Sequence, residues 1–396
     1  MLYPIGIQSF EKIRQGGYVY VDKTDLIYKI AKTGQYYFLS RPRRFGKSLL
    51  LSTMEAYFRG RKELFDGLAI ASLEKDWTEY PVLHLDLSGV AYNQEEVIAK
   101  VLSNALCKWE KEYGSENNSD IPGIRFGNVI EAACRKTGRQ VVILVDEYDK
   151  PVIDNLDRPE LQDKMRETLR GFYGVMKSKD GRIRLGFLTG VTKIGKMSVF
   201  SDLNNPKDIS MDARYTDICG VSETDLTDCF AESVRELAEA NGLSEEECRQ
   251  KLALMYDGYH FNEHSAGVYN PFSLLNTFKA KKFRMYWFET GTPTFLVRLL
   301  TERGFHTPDL SRLHGSLTLL SSFDVDRIEP EALLFQAGYL TIRSATPATP
   351  EEEPIYTLGY PNHEVETALN RALLPVYGVP ARQQIAARAR VRDLLR

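Results

Sequence analysis

Up to about residue 210, short unbroken apolar runs alternate with longer stretches in which apolar side chains recur every three or four positions. The first pattern marks strands buried on both faces, and the second marks amphipathic helices. Tyr36 to Ser40, Pro81 to Leu87, Val141 to Val145 and Arg184 to Gly190 read as strands, with Tyr18 to Val21 as a shorter one. Between them, Leu26, Ile27 and Ile30 follow the capping side chains of the Asp22 to Asp25 segment. Leu49, Leu50, Leu51, Met54 and Phe58 form a second helical set, and Val97, Val101, Leu102, Ala105 and Trp109 a third. Val129 to Arg135 and Leu161 to Met176 complete the series. Strand and helix in alternation predict an α/β domain with a parallel, doubly wound sheet.

Two of these strands run into groups that can do chemistry. Tyr36 to Ser40 breaks into Arg41-Pro42-Arg43-Arg44-Phe45-Gly46-Lys47-Ser48, a basic loop that opens a helix. A helix start offers unpaired backbone N–H groups and a positive dipole end, so Arg43 to Leu49 is expected to bind the phosphates of a nucleotide such as ATP. Within that segment Gly46 admits close backbone approach, Lys47 brings a mobile charge to the β- and γ-phosphates, and Ser48 offers a hydroxyl to Mg2+. The commoner form of this loop has a Gly where Arg41 stands. Val141 to Val145 ends in Asp146-Glu147. Asp146 is expected to hold Mg2+ through water and Glu147 to orient or deprotonate the attacking water, on the same sheet edge as Lys47.

Element order adds a constraint. The strand and helices from Pro81 to Arg135 lie between the loop strand and the acidic strand, so a further strand can slot between those two in space. Arg184 to Leu188 is the candidate, and its end offers Thr189, Thr192 and Lys193 to a γ-phosphate. The alternative for the threonines is a turn that satisfies its own backbone.

Composition narrows the field modestly. The 396 residues are 43% hydrophobic, enough for two or three domains with their own cores. With 51 basic and 54 acidic side chains the net charge is −3, which gives no global attraction to nucleic acid. The five cysteines are odd in number and lack CxxC spacing, so they read as reduced thiols rather than zinc ligands or a disulfide framework. Neither a secretory leader nor a membrane-spanning run is evident, which predicts a cytoplasmic protein.

Six segments together resemble the bacterial AAA-ATPase-like family, whose members often carry a C-terminal PD-(D/E)XK nuclease-like domain. They are Tyr20 to Thr24, Ser40 to Ser48, Asp146 to Lys150, Leu188 to Lys193, Tyr256 to Tyr259 and Tyr269 to Ser273. The resemblance implies that Arg41 is usual in this loop and that a helical lid follows the sheet. Leu226, Phe230, Val234 and Leu237, then Cys248, Leu252 and Met255, do recur at helical spacing. Asp257-Gly258-Tyr259 is either a turn that brings an aromatic toward the nucleotide or a helix end with Tyr259 in the core. Asn270-Pro271 reads as a capped helix start.

Residues 292–362 are expected to form a small winged-helix module, with helices around Phe295 to Leu300 and Glu331 to Gln336. Gly338 to Ile342 would pair with Ile355 to Leu358 as the wing. Glu351, Glu352 and Glu353 at the wing tip would repel phosphate, which favours a protein partner over nucleic acid. No Glu-x-Lys triplet follows Asn362, so nuclease chemistry is not expected of this chain. The expected units are an ATPase core (1–215), a lid (216–290), the winged module (291–380) and a basic helix or linker (381–396). The expected function is Mg2+-dependent ATP hydrolysis that moves the lid and module. A low-turnover switch that recruits a partner and a DNA-binding regulatory ATPase are the alternatives. Arg43 and Arg44 are either phosphate contacts or fingers reaching a neighbouring copy, which would require an oligomer, and the segment around Tyr20, Asp22 and Lys23 is expected to meet the adenine.

Overall fold

Val141 to Val145 is apolar at every position and can be accommodated only where both sheet faces are covered. A computed structural model, which describes residues 1–116, 119–193, 206–289, 313–321, 329–347, 352–373 and 382, puts this segment inside a five-stranded parallel sheet. The strands are β1 (Tyr36–Ser40), β2 (Val82–Asp86), β3 (Val141–Asp146), β4 (Ile183–Gly190) and β5 (Lys207–Asp208), in spatial order β2-β3-β4-β1-β5. Residues of β1 and β3 are buried throughout. Helices Glu95–Tyr113, Pro122–Thr137 and Pro159–Tyr173 pack on the sheet through residues such as Leu102, Ile130 and Leu169.

The expected insertion is present. β4 lies between β1 and β3, with Leu39 opposite Thr189 and Val145 opposite Leu188. All three strands run the same way, so the loop after Ser40, the acids at Asp146 and Glu147 and the turn after Gly190 emerge on one edge. Tyr18 to Val21 corrects one expectation. This segment joins no sheet; Val19 donates its N–H to the Leu2 carbonyl at 3.0 Å, and Tyr20 packs edge-on against Phe10. β5 has the opposite history, being a strand of two polar residues paired to Tyr37 and Phe38 without any apolar run to announce it.

After the sheet, helices Glu223–Asn241 and Glu245–Tyr256 each begin with a capping box, Ser222 with Asp225 and Ser244 with Glu247. With Pro271–Ala280 they bury Leu226, Phe230, Leu237, Cys248, Leu252 and Phe278 in a second core. The C-terminal part contains an antiparallel sheet of β6 (Leu313–Ser316), β7 (Thr341–Ala345) and β8 (Ile355–Gly359), in order β6-β8-β7, flanked by helices Pro330–Gln336 and His363–Leu373. β7 pairs with β8 but overlaps the expected Gly338 to Ile342 strand only at Thr341 and Ile342, because residues 338–340 form the turn after helix Pro330–Gln336, while β6 had no counterpart in the sequence reading. The helix expected at Phe295 to Leu300 and all of 381–396 except residue 382 lie outside the described residues. Leu333, Leu334, Tyr339 and Tyr356 belong to the same buried cluster as the parallel sheet.

Asn270 caps Pro271–Ala280 by accepting from the N–H groups of Phe272 (3.0 Å) and Ser273 (3.1 Å). Asn270→Ala is expected to cost about 1 kcal/mol, measured as a lower denaturation midpoint at unchanged slope.

Candidate nucleotide site

The basic loop turns sharply because two of its residues adopt positive φ, Arg44 at 67° and Gly46 at 96°. Helix Lys47–Phe58 begins immediately afterwards, with its first N–H groups facing the loop. Buried Lys47 donates to the carbonyl oxygens of Arg41 (3.0 Å) and Pro42 (3.1 Å). An ammonium has three protons, so one remains for an anionic ligand. Ser48 follows in the first helical turn.

Arg41 is not a phosphate ligand by position. Its guanidinium is fully buried and donates to the carbonyls of Ser40 (2.9 Å), Ser210 (2.7 Å), Tyr215 (3.0 Å) and Thr216 (3.3 Å), while Phe261 stacks 4.0 Å from it. Burial without a directly paired carboxylate lowers its pKa to about 10, so the group stays charged at neutral pH. Where the commoner loop has Gly, this chain has a strut to residues 210–216.

On the acidic side, Asp146 Oδ1 accepts from the Thr189 hydroxyl at 2.6 Å and the Glu147 N–H at 3.0 Å. Oδ2 takes no hydrogen bond among the described residues, which leaves it open to a water or a cation. Glu147 sits at φ 49°, an uncommon conformation for a residue with a side chain. Glu147 and Lys47 border one cavity of roughly 440 Å³, together with Arg43, Arg44, Gly46 and Ser48. An adjoining apolar slot of roughly 110 Å³ shares Gly46 and Leu49 with it, and is lined by Tyr20, Lys23, Phe45, Cys219 and Val221 among others.

The structure thus brings Arg43, Arg44, Phe45, Gly46, Lys47, Ser48, Leu49, Lys23 and Glu147 to two connected spaces. Four expected residues are engaged elsewhere, among them Thr192, whose hydroxyl donates to Asp149 at 2.9 Å. Asp22 lines neither space and accepts from the N–H groups of Thr24 (2.9 Å) and Ala69 (2.7 Å), so it joins two helix starts. Lys193 is buried, with its ammonium 3.0 Å from Asp208 and its N–H donating to Gln336 Oε1 at 2.7 Å. Thr189 reaches Asp146 rather than the cavity. Arg43 contributes its carbonyl to the Trp287 indole N–H at 3.0 Å, and the Arg44 guanidinium lies 5.2 Å from the Phe272 ring. Tyr259 takes the core position of its two alternatives, edge-on to Phe45 with ring centroids 4.8 Å apart.

One residue at this edge was missed. Asp149 is buried and accepts from the N–H groups of Val191 (3.1 Å) and Thr192 (2.6 Å) and from the Thr192 hydroxyl (2.9 Å). Its signal in the sequence was a third carboxylate only two positions beyond Glu147, which resembles an ordinary solvated acid. Burial pushes its pKa from 3.8 up to about 6 against the pull of those three donors.

The donor set suits magnesium. A Ser hydroxyl and one carboxylate, with phosphates and waters completing the shell, are ligands of the type this ion takes, and no cage of several carboxylates is needed. A parallel sheet with a glycine-lysine loop at the end of one strand and an acid pair at the end of another, both on its carboxyl edge, is compatible with a P-loop-type nucleotide-binding fold. The chain belongs to the AAA-ATPase-like family, whose sequence profile, described as "Predicted AAA-ATPase", matches residues 4–200. It is 45% identical over 376 residues to an Azotobacter chroococcum mcd 1 protein described as "Uncharacterized protein in vnfD 5'region", covering 94% of this chain and 70% of that one. No solved structure matches the chain. Among the described residues, no helix is long and apolar enough to cross a membrane.

Arg41→Gly, which restores the commoner loop pattern, is expected to destabilise the protein by about 1–3 kcal/mol, because carbonyls of residues 210–216 lose their donor. Chemical denaturation checks this. Asp149 generates a pH prediction whose sign is set by its raised pKa. Between pH 3.8 and about 6 the folded state holds the extra proton, so this group's contribution to stability falls as pH rises through that window. The total is roughly 3 kcal/mol. Unfolding free energies measured from pH 4 to 7 should fall more steeply with rising pH in the wild type than in Asp149→Asn.

Proposed function

We propose that the chain binds ATP with Mg2+ and hydrolyses it. The observation that carries this reading is the shared cavity, with Lys47, Ser48 and Glu147 on its wall and Asp146 at the same strand end. In this reading the phosphates lie over the start of helix Lys47–Phe58, held by its N–H groups and by the remaining Lys47 proton. Ser48 and, through water, the open oxygen of Asp146 would hold magnesium, which would supply neutralising charge to the phosphates. Glu147 positions the attacking water and accepts its proton. The apolar slot beside Tyr20 and Leu49 suits the flat face of adenine, and Arg43 and Arg44 serve as further phosphate contacts or act on a neighbouring copy.

The C-terminal elements then sense the nucleotide. Phe45 packs on Tyr259, Arg43 is bonded to Trp287 and the turn after β4 is bonded to Gln336, so both sides of the phosphate region touch the lid or the small antiparallel module. A wing formed by β7 and β8, with Glu353 already engaged by Thr318, fits a protein-packing role better than nucleic-acid binding. Five unpaired thiols suit a reducing compartment such as the cytoplasm.

Phosphate release and nucleotide affinity for the wild type, Lys47→Ala and Glu147→Gln test the reading, each with and without duplex DNA. Lys47→Ala should lose both binding and turnover. Glu147→Gln should keep binding and lose about 10²–10⁴-fold in turnover, the usual contribution of a general base. Tight binding with negligible wild-type turnover would select the switch, strongly salt-dependent DNA affinity the DNA-regulated alternative, and absence of ATP binding would overturn the proposal.

A further inference from the structure

A buried carboxylate is costly unless something compensates it, and Asp149 has no cation within ion-pair distance among the described residues. What it has is three donors from one turn, the N–H groups of Val191 and Thr192 and the Thr192 hydroxyl. An Asn in this place has a single acceptor oxygen and would turn an NH2 group toward those donors. The carboxylate is therefore matched to the shape of the turn that follows β4.

The same turn is tied to the neighbouring residue. Tyr148 donates its N–H to the Thr189 carbonyl at 3.0 Å and its hydroxyl to the Thr192 carbonyl at 3.2 Å. Gly190 is packed so closely that a Cβ there would lie 2.6 Å from the Tyr148 ring and 2.7 Å from an Asp149 oxygen. Immediately before these latched residues stands Glu147 in its uncommon φ of 49°, and before that Asp146 with its oxygen on Thr189. Glu147 is thus fixed on both sides by one turn, to Thr189 through Asp146 and to Val191 and Thr192 through Tyr148 and Asp149.

We propose that Asp149 is a positioning residue for ATP hydrolysis: it locks the turn Gly190 to Thr192 against the Glu147 loop, so that the Glu147 carboxylate faces the phosphate cavity at a fixed distance. This rests on the ATPase reading given above. Asp149 lines neither cavity; it acts through the backbone of Glu147 and the end of β4. Thr192 has the role of Asp149's partner, and its hydroxyl is directed at that carboxylate.

The test compares wild type, Asp149→Asn, Thr192→Val, Thr192→Ser and Gly190→Ala for ATP affinity, turnover and amide hydrogen exchange. Asp149→Asn should lower kcat by about 10–100-fold, the size expected when a reacting group is misplaced by about 1 Å, with ATP affinity changed less than about threefold. Thr192→Val should move in the same direction, and Thr192→Ser, which restores the hydroxyl, should recover turnover relative to it. Exchange should rise together in the segments 144–150 and 186–193 of Asp149→Asn. Equal loss of affinity and turnover, or a rise in exchange confined to one segment, would overturn the proposal. So would wild-type turnover in Asp149→Asn. If Asp149→Asn does not fold, Thr192→Val and Gly190→Ala carry the comparison. A wild type that binds no ATP would refute the ATPase reading instead, and the exchange measurement would still decide whether the latch exists.

Discussion

In a parallel sheet, strands that flank a common neighbour lie roughly 10 Å apart, twice the hydrogen-bonding spacing. β1 and β3 stand in that relation because β4 fills the place between them. The separation fixes the distance between the loop that begins at Arg41 and the acids that follow Val145, and it leaves an opening on the carboxyl edge bordered by Lys47 and Glu147. The helix start supplies positive potential on one side and Asp146 and Glu147 supply negative charge on the other. A triphosphate with its metal is the kind of ligand that such a divided field can hold. Other features of the site adjust this arrangement without creating it.

Strand burial was legible because β1, β3 and β4, with both faces covered, leave apolar runs, and the order of elements allowed β4 to insert between the other two. The helices after the sheet were legible through periodicity and through the Asn270-Pro271 start, whereas the capping boxes at Ser222 and Ser244 went unread. β5 left no trace, since its two residues belong to the sheet only through backbone bonds to β1. Tyr18 to Val21 misled for the complementary reason: Val19, Tyr20 and Val21 are partly covered by helices and by Phe10, and a short apolar run alone cannot distinguish a sheet from that kind of cover.

At the site, residue types in contact with the cavity were recognisable, whereas residues that act through others were not. Lys47 and Glu147 stand next to glycine or at a strand end, in settings whose chemistry is local. Asp149 and Arg41 look like surface charges in a linear reading, and only their hydrogen-bond partners, up to 175 positions away for Arg41, reveal them as buried ties. Asp22 erred in the other direction. Its segment, one helix before the glycine-lysine loop, was expected to meet the adenine, yet its oxygens are consumed in starting two helices.

The strut formed by Arg41 bears on how far the site is modular. Its carbonyl acceptors include Ser210, Tyr215 and Thr216, its stacking partner is Phe261, and the neighbouring Arg43 carbonyl is met by Trp287. All of these lie beyond residue 200, where the family profile stops. A segment cut at that boundary would keep the glycine-lysine loop and the acidic strand end and lose the partners that bury a charged guanidinium at the root of that loop. During synthesis the loop likewise cannot reach its final packing until the lid sequence has been made. The motif is contiguous in the gene, but the rigid loop is a property of a chain nearly three hundred residues long.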